Sequence, residues 1–334
     1  MQPQDQGPDG HFTRRTMLAG AAAGDVALSA NPAAAQRCPA PAHAQGPLVW
    51  LYLDQPELDD AYDQSVYAFN ADNIRERRAA NTQATLGRIG KPTRASYGNK
   101  EIEGIDIFRT RTTNAPVIMF IHGGAWRGGR ASQDAYLAEP FIKAGAHYLT
   151  VDFNNVLETG GDLFPMADQV RRAVAWVYRN ARSFRGDPNR LYLIGHSSGA
   201  HLGGCAVTTD WSKMGLPQNI VKGALLGSGM YDLKPVRLSK RSDYVKFTDE
   251  MEQALSPQRH IALLQTPLIL THGSLETPEF QRQSRDFHQA VSAAGKPVKL
   301  LVGNGYNHYE TEETLGNPYG FMGRAAMQML GLVV

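Results

Sequence analysis

The chain has 334 residues, 42% of them hydrophobic and 20% charged. That balance fits an ordinary globular protein rather than a disordered, fibrous or membrane-embedded one. Its 34 basic and 32 acidic residues leave a net charge of +2, and with no Lys/Arg block to track phosphates, nucleic acid is not an expected partner. Two cysteines, Cys38 and Cys205, supply neither a disulfide framework nor a thiolate metal site.

Residues 1–44 read as an export leader. Thr13-Arg14-Arg15-Thr16-Met17-Leu18 is a twin-arginine pattern, a weakly apolar Ala/Gly stretch follows, and Ala33-Ala34-Ala35 and Ala42-His43-Ala44 have the A-x-A form of cleavage sites. Asp25 interrupts the apolar stretch, where a charge is costly in lipid. The expectation is a periplasmic or secreted protein handed to twin-arginine export machinery, and a cytoplasmic one if the leader does not act. No later run of about 18 apolar residues suggests a membrane anchor.

Residues 45–92 are polar and helix-forming. Asp54-x-x-Glu57 suggests a capping box, and Leu58, Tyr62, Val66 and Phe69 recur at helical spacing. This segment is expected to pack on the main domain as a small helical cap or lid. From residue 93 to 334 strands and helices alternate, the mark of a mostly parallel sheet covered on both faces. Glu103 to Phe108 reads as an edge strand. Val117 to Ile121, Tyr148 to Val151, Leu191 to Ile194, Gly223 to Leu226, Leu268 to Leu270 and Val298 to Val302 read as buried central strands. Helices are expected near 132–144, 165–183, 198–208, 278–294 and 318–331, and Lys234 to Gln265 as an irregular or helical excursion.

The strongest chemical signal is Gly195-His196-Ser197-Ser198-Gly199, between the apolar run Leu191 to Ile194 and the small-residue stretch from Ala200. Glycines on both sides of Ser197 allow a sharp strand-to-helix turn that presents its hydroxyl. His122-Gly123-Gly124-Ala125-Trp126 ends an earlier strand, and main-chain donors there can hold a developing oxyanion. Gly123, Gly124 and the amide of Ser198 are the expected donors, with His122 organising the loop. A serine hydroxyl needs a base and an orienting acid, which follow it in chain order on such an elbow. His308 follows the last strand and is favoured as base over His196, His201 and His272. Glu276 is favoured over Glu279 as acid, because Glu279 suits the first turn of a helix.

These motifs, with Gly227-Ser-Gly-Met-Tyr-Asp-Leu233, Glu276-x-Pro-Glu-Phe280 and Gly305-Tyr-Asn-His308, resemble the arylformamidase (kynurenine formamidase-like) and carboxylesterase branch of the α/β-hydrolases. The resemblance spans roughly residues 95 to 331. It implies the α/β-hydrolase fold with an eight-stranded sheet, hydrolysis through an acyl-enzyme, and no cofactor or metal; the chain departs from arylformamidases in having Glu276 where they usually carry Asp. The expected activity is serine hydrolysis of a small carboxylic ester. An amidase or arylformamidase activity is the first alternative, and a non-catalytic binding protein on the same scaffold the second. Trp126, Phe164 with Leu163, and Tyr306 are the expected pocket residues, Trp211 and the 234–265 excursion a possible lid, and Asp232 a turn-stabilising residue.

Overall fold

The computed structural model describes residues 44–333; the twin-arginine pattern, both cleavage sites' alanines up to His43, and Cys38 lie outside them. Eight strands form one sheet: β1 (Thr93–Ser96), β2 (Gly104–Phe108), β3 (Ala115–Ile121), β4 (His147–Val151), β5 (Gly186–His196), β6 (Val221–Gly227), β7 (Leu268–Gly273) and β8 (Val298–Gly303). Their spatial order is β1-β2-β4-β3-β5-β6-β7-β8. β1 and β2 run antiparallel to their neighbours, and every pairing from β4 to β8 is parallel.

Among the described residues ten α-helices accompany the sheet: α1 (Gln55–Ala61), α2 (Ala71–Ile89), α3 (Ala138–Lys143), α4 (Phe164–Asn180), α5 (Ser198–Val207), α6 (Leu233–Leu238), α7 (Asp249–Ala254), α8 (Pro278–Ala293), α9 (His308–Glu313) and α10 (Phe321–Leu330). The pleat sorts the buried side chains of β3 to opposite faces. Val117, Met119 and Ile121 join a core with residues of α4, α5 and α8, while Ile118 and Phe120 join a second core with residues of α3 and α10. Both faces of the central strands are therefore covered, which explains why they read as unbroken apolar runs. Each fully buried Leu, Ile or Val contributes about 1.5–3 kcal/mol.

Three differences from the sequence expectations have local causes. The sheet edges are β1, four residues of which Thr93, Arg94 and Ser96 are exposed, and β8, where Lys299 and Val302 are exposed although Val298 to Val302 reads as a buried central strand, because among the described residues no further strand covers its outer side; β2 therefore lies inside, between β1 and β4. Arg94 fastens the edge by reaching Asp106 at 2.9 Å and Asp152 at 2.6 Å. The helix expected over 132–144 is a 3-10 segment over Ala131–Leu137 followed by α3. Pro140 lacks the N–H that a continuous α-helix would need there, and is tolerated in the first turn of a new one. The third is α9, which is not among the helices expected from the sequence. Asn307 caps it by accepting from the amides of Tyr309 and Glu310, with Glu310 reaching back to the Asn307 amide, so Asn307-x-x-Glu310 was a legible capping box.

Within residues 45–92, Asp54 and Glu57 form the expected box at the start of α1. The 234–265 excursion consists of α6, α7 and short 3-10 turns.

Candidate functional site

β5 ends at His196 and α5 begins at Ser198, so Ser197 occupies the turn between them, with φ 56° and ψ −126°. That is a left-handed conformation a non-glycine residue adopts only when its surroundings enforce it, at about 1–3 kcal/mol. Two neighbours enforce it. The Ser197 amide donates to the Gly227 carbonyl at 2.8 Å, and Gly199 lies so close to the Ile121 carbonyl that a β-carbon there would overlap it.

The turn after β3 faces this elbow. A β-carbon placed on Gly123 would stand 3.0 Å from Cβ of Ser197. Gly124, at φ 113°, would clash with the Gly128 carbonyl at 2.5 Å if it carried one. Ala125 and Trp126 continue at positive φ, and the Trp126 amide is tied to Ser198 Oγ at 3.2 Å. The loop is thus locked to the start of α5, whose first amides have no intrahelical acceptor. His122 stacks on Phe153 at 4.2 Å and its Nδ1 approaches the Gly123 carbonyl at 2.9 Å, the place of a loop organiser.

His308 stands at the first residue of α9, with its Nδ1 2.9 Å from Glu276 Oε2. The other oxygen of Glu276 accepts from Ser228 Oγ and the Gly273 amide, both at 2.6 Å, and from Thr311 Oγ1 at 3.3 Å. Burial alone would push this carboxyl up, but the His308 charge and the donated hydrogen bonds outweigh it and hold it at about 2. Burial, followed by the neighbouring His196, brings His308 down to about 4, against the opposing pull of Glu276. At neutral pH the pair is a carboxylate beside an uncharged imidazole, ready to accept a proton.

Glu279 lies three residues from Glu276 and has different partners. Its carboxylate takes a forked pair of bonds from Arg282, each at 2.7 Å, and one from Tyr62 Oη at 3.0 Å. His201 is held between Trp126 Nε1 and the Leu255 carbonyl, and His272 Nδ1 sits 3.1 Å from the Gly273 carbonyl. Asp232 accepts from Lys234 at the cap of α6, as a turn-stabilising residue does.

Ser197, His308, Gly123 and Gly124 all line one cavity of about 1300 Å³. The three aromatic residues expected to line the pocket lie elsewhere, and the cavity's aromatics are Tyr62, Tyr244 and Tyr309. Trp126 is 1% exposed, its indole bonded to His201. Phe164 packs on the main core, and Tyr306 stacks with Phe321; none of the three is among the cavity's lining residues. Trp211 is buried as well. The remaining lining includes Tyr62 to Ser65, residues of α2, Arg127, Ser132 to Asp134 and Lys240 to Tyr244.

Sequence reading also passed over a second buried histidine–carboxylate pair. His196 Nδ1 lies 2.9 Å from Glu312 Oε2, and its ring centre is 4.5 Å from that of His308. Glu312 in turn meets Arg78 at 3.1 Å and Tyr136 Oη at 2.8 Å. Ser228, within the Gly227-Ser-Gly motif, has no role assigned from sequence, although its place directly after β6 was a signal, since β6 neighbours both β5 and β7.

The BD-FAE family model matches residues 105–223, the span that holds the Gly123-Gly124 turn and the Ser197 elbow. The esterase LipW of Mycobacterium marinum superposes with a TM-score of 0.63 over 80% of this chain and 88% of its own, at 18% identity. The chain belongs to the α/β-hydrolase superfamily. Kynurenine formamidase of Danio rerio is 27% identical to this hydrolase over 295 residues, covering 84% of the chain and 98% of that protein. The isoprenylcysteine alpha-carbonyl methylesterase ICME of Arabidopsis thaliana is 26% identical over 236 residues, 64% of the chain and 55% of that protein.

Proposed function

We propose that this hydrolase cleaves small carboxylic esters through an acyl-enzyme formed on Ser197. The observation that carries the reading is the buried Glu276–His308 pair, 2.9 Å apart, in a cavity shared with a serine held at φ 56° on a strand-to-helix elbow. Ser197 Oγ attacks the ester carbonyl while His308 Nε2, the nitrogen not turned to Glu276, takes its proton. The tetrahedral oxyanion is held by the amides of Gly123, Gly124 and Ser198. Collapse breaks the C–O bond, and His308 returns the proton to the departing alcohol. Water, deprotonated by the same imidazole, then attacks the acyl-enzyme and releases the acid and free Ser197. Glu276 fixes the Nδ1–H tautomer and stabilises the imidazolium formed at each step.

The same machinery serves an amide or formamide, and the similarity to kynurenine formamidase along 98% of that protein favours this as the second reading. Turnover of a nitrophenyl ester and of N-formylkynurenine separates the two: an amide preference above about tenfold in kcat/KM, or about 1.4 kcal/mol of transition-state binding, overturns the ester reading. Ser197→Ala should abolish labelling by a fluorophosphonate probe and lower ester turnover by about four orders of magnitude or more. Wild-type protein that stays unlabelled would remove the serine mechanism. The Arg14-Arg15 pattern further supports export, which N-terminal sequencing of protein recovered outside the cytoplasm tests.

A further inference from the structure

Five cations line the cavity: Arg75, Arg78, Arg127, Lys240 and Arg241. Arg75 pairs with Asp72, Lys240 with Asp63 at 2.8 Å and Arg78 with Glu312 at 3.1 Å. Among the described residues no carboxylate pairs with Arg127 or Arg241, and these two share one tyrosine. The Arg241 guanidinium donates to Tyr244 Oη at 3.1 Å, and the Arg127 guanidinium lies 4.4 Å from the centre of the Tyr244 ring.

Arg241 is only 5% exposed. The other acceptor of its side chain is also neutral, the Tyr62 carbonyl at 2.9 Å, and its Nε is buried with no hydrogen-bond partner. The guanidinium lies 5.5 Å from the ring of Trp126, which continues the oxyanion turn, and 5.9 Å from that of Phe280, which packs edge-on against His308 at 5.2 Å. A cation taken out of water and given only neutral partners is electrostatically incomplete. The nearest chemistry to complete it is substrate. Asp243 also lines the cavity, but from an exposed position where water screens its charge.

We propose that Arg241, assisted by Arg127, forms a carboxylate-binding subsite beside Ser197, so that the preferred substrates carry a free carboxylate a short distance from the scissile bond. The inference rests on the ester-hydrolase reading for what is cleaved, and on the two arginines for what is recognised. A carboxylate suits a guanidinium because its two oxygens can accept from two N–H groups at once.

Two matched pairs of esters test it, each rate corrected for alkaline reactivity. The acid is placed in the acyl part by p-nitrophenyl hemiglutarate against p-nitrophenyl valerate. It is placed on the alcohol part by 4-butyryloxybenzoate against its methyl ester. The expected result is a preference of at least tenfold in kcat/KM for the acid in one pair, which Arg241→Gln and Arg127→Gln each reduce by at least fivefold and Arg241→Lys reduces less. Arg127 is exposed, so its variant tests the subsite even if Arg241→Gln fails to fold. A direct reading without turnover is the melting temperature in millimolar glutarate, which should rise for wild type and stay flat for Arg127→Gln. Hydrolysis of neutral esters with no acid preference in either pair overturns the subsite and leaves the hydrolase reading standing. Stabilisation by glutarate without ester turnover supports the subsite and sinks the ester reading. The absence of both stabilisation and acid preference sinks the subsite outright.

Discussion

The cavity has two kinds of wall. One is built from the ends of strands: the turn after β3, the elbow after β5 and the helix after β8 that begins with His308, which Glu276 in the loop after β7 backs from behind. The other is built from helices distant in sequence, Tyr62 to Ser65 with α2 and Lys240 to Tyr244. In the first, groups are fixed by backbone hydrogen bonds between neighbouring strands and by strained turns, so they stand where a parallel sheet must put them. In the second, position depends on side-chain contacts such as Arg241 to the Tyr62 carbonyl and Lys240 to Asp63. The contrast assigns bond-breaking to the strand-end wall and discrimination between substrates to the helical wall. A substitution of Ser197, Glu276 or His308 should change kcat for every substrate, whereas one of Arg241, or of Arg127 at the end of the turn after β3, should change which substrate is preferred.

The sharpest way to break that division is the pair Glu276 and Glu279. Glu276→Gln should lower kcat by about 10²–10⁴ with little change in KM, because the amide no longer stabilises the imidazolium. Glu279→Gln should act on stability instead, costing about 1–3 kcal/mol as Arg282 and Tyr62 lose a charged partner, with kcat changed far less. A larger kcat loss at Glu279 than at Glu276 would show that the 2.9 Å contact to His308 does not report the working acid.

Glu312 tests the seam between the walls, since it joins His196 beside Ser197 to Arg78 on α2. Removing one member of a buried ion pair leaves the other uncompensated, so Glu312→Gln is expected to cost about 3–5 kcal/mol in chemical denaturation. The double variant with Arg78→Met should recover part of that loss. If the double variant is no more stable than the single one, the ion pair is not what holds α2 to α9.

The difference between the walls also explains what the sequence revealed. Ser197, Gly123, Gly124, Glu276 and His308 sit at strand ends, and each is flagged by a short apolar run followed by glycine, a pattern that survives without knowledge of the fold. Arg78, Arg127 and Arg241 look like ordinary surface cations in a polar stretch. Only packing turns Arg241 into a buried residue between Trp126 and Phe280. Trp126 failed in the opposite direction: its place beside the oxyanion turn suggested substrate contact, but its indole is held by His201. The edge strand β1 was invisible because an exposed four-residue strand needs no apolar pattern, and α9 because its six residues carry no apolar stripe and only the cap announces it.

A smaller effect concerns the base. His308 is brought down to about 4 by burial and the adjacent His196, and in the proposed mechanism it works as the uncharged imidazole. The value of kcat/KM for a neutral ester should therefore be flat through neutral pH and fall as the pH drops through about 4 to 5. Stability moves in the same direction. Between about pH 4 and the ordinary histidine value near 6.5, the unfolded chain binds a proton at His308 that the folded chain refuses, so acidification over that interval destabilises the fold. A rate profile that already breaks near pH 6.5 would mean that His308 titrates as though exposed, and the strand-end wall would be looser than its hydrogen bonds indicate.

The smallest effect tests whether the elbow stores strain. At φ 56° and ψ −126°, Ser197 occupies a backbone region open to glycine and costly for any residue with a β-carbon. Ser197→Ala keeps that cost, whereas Ser197→Gly relieves it, although the greater freedom of glycine in the unfolded chain offsets part of the gain. Both variants lose the nucleophile, so activity cannot distinguish them, but stability can. Ser197→Gly is expected to exceed Ser197→Ala by about 1 kcal/mol or somewhat more in denaturant midpoint at constant m-value. Equal stability would mean that the turn costs little, and that the Gly227 hydrogen bond and the close approach of Gly199 to Ile121 accommodate Ser197 rather than force it. The strand-end wall would then owe its precision to hydrogen bonding alone.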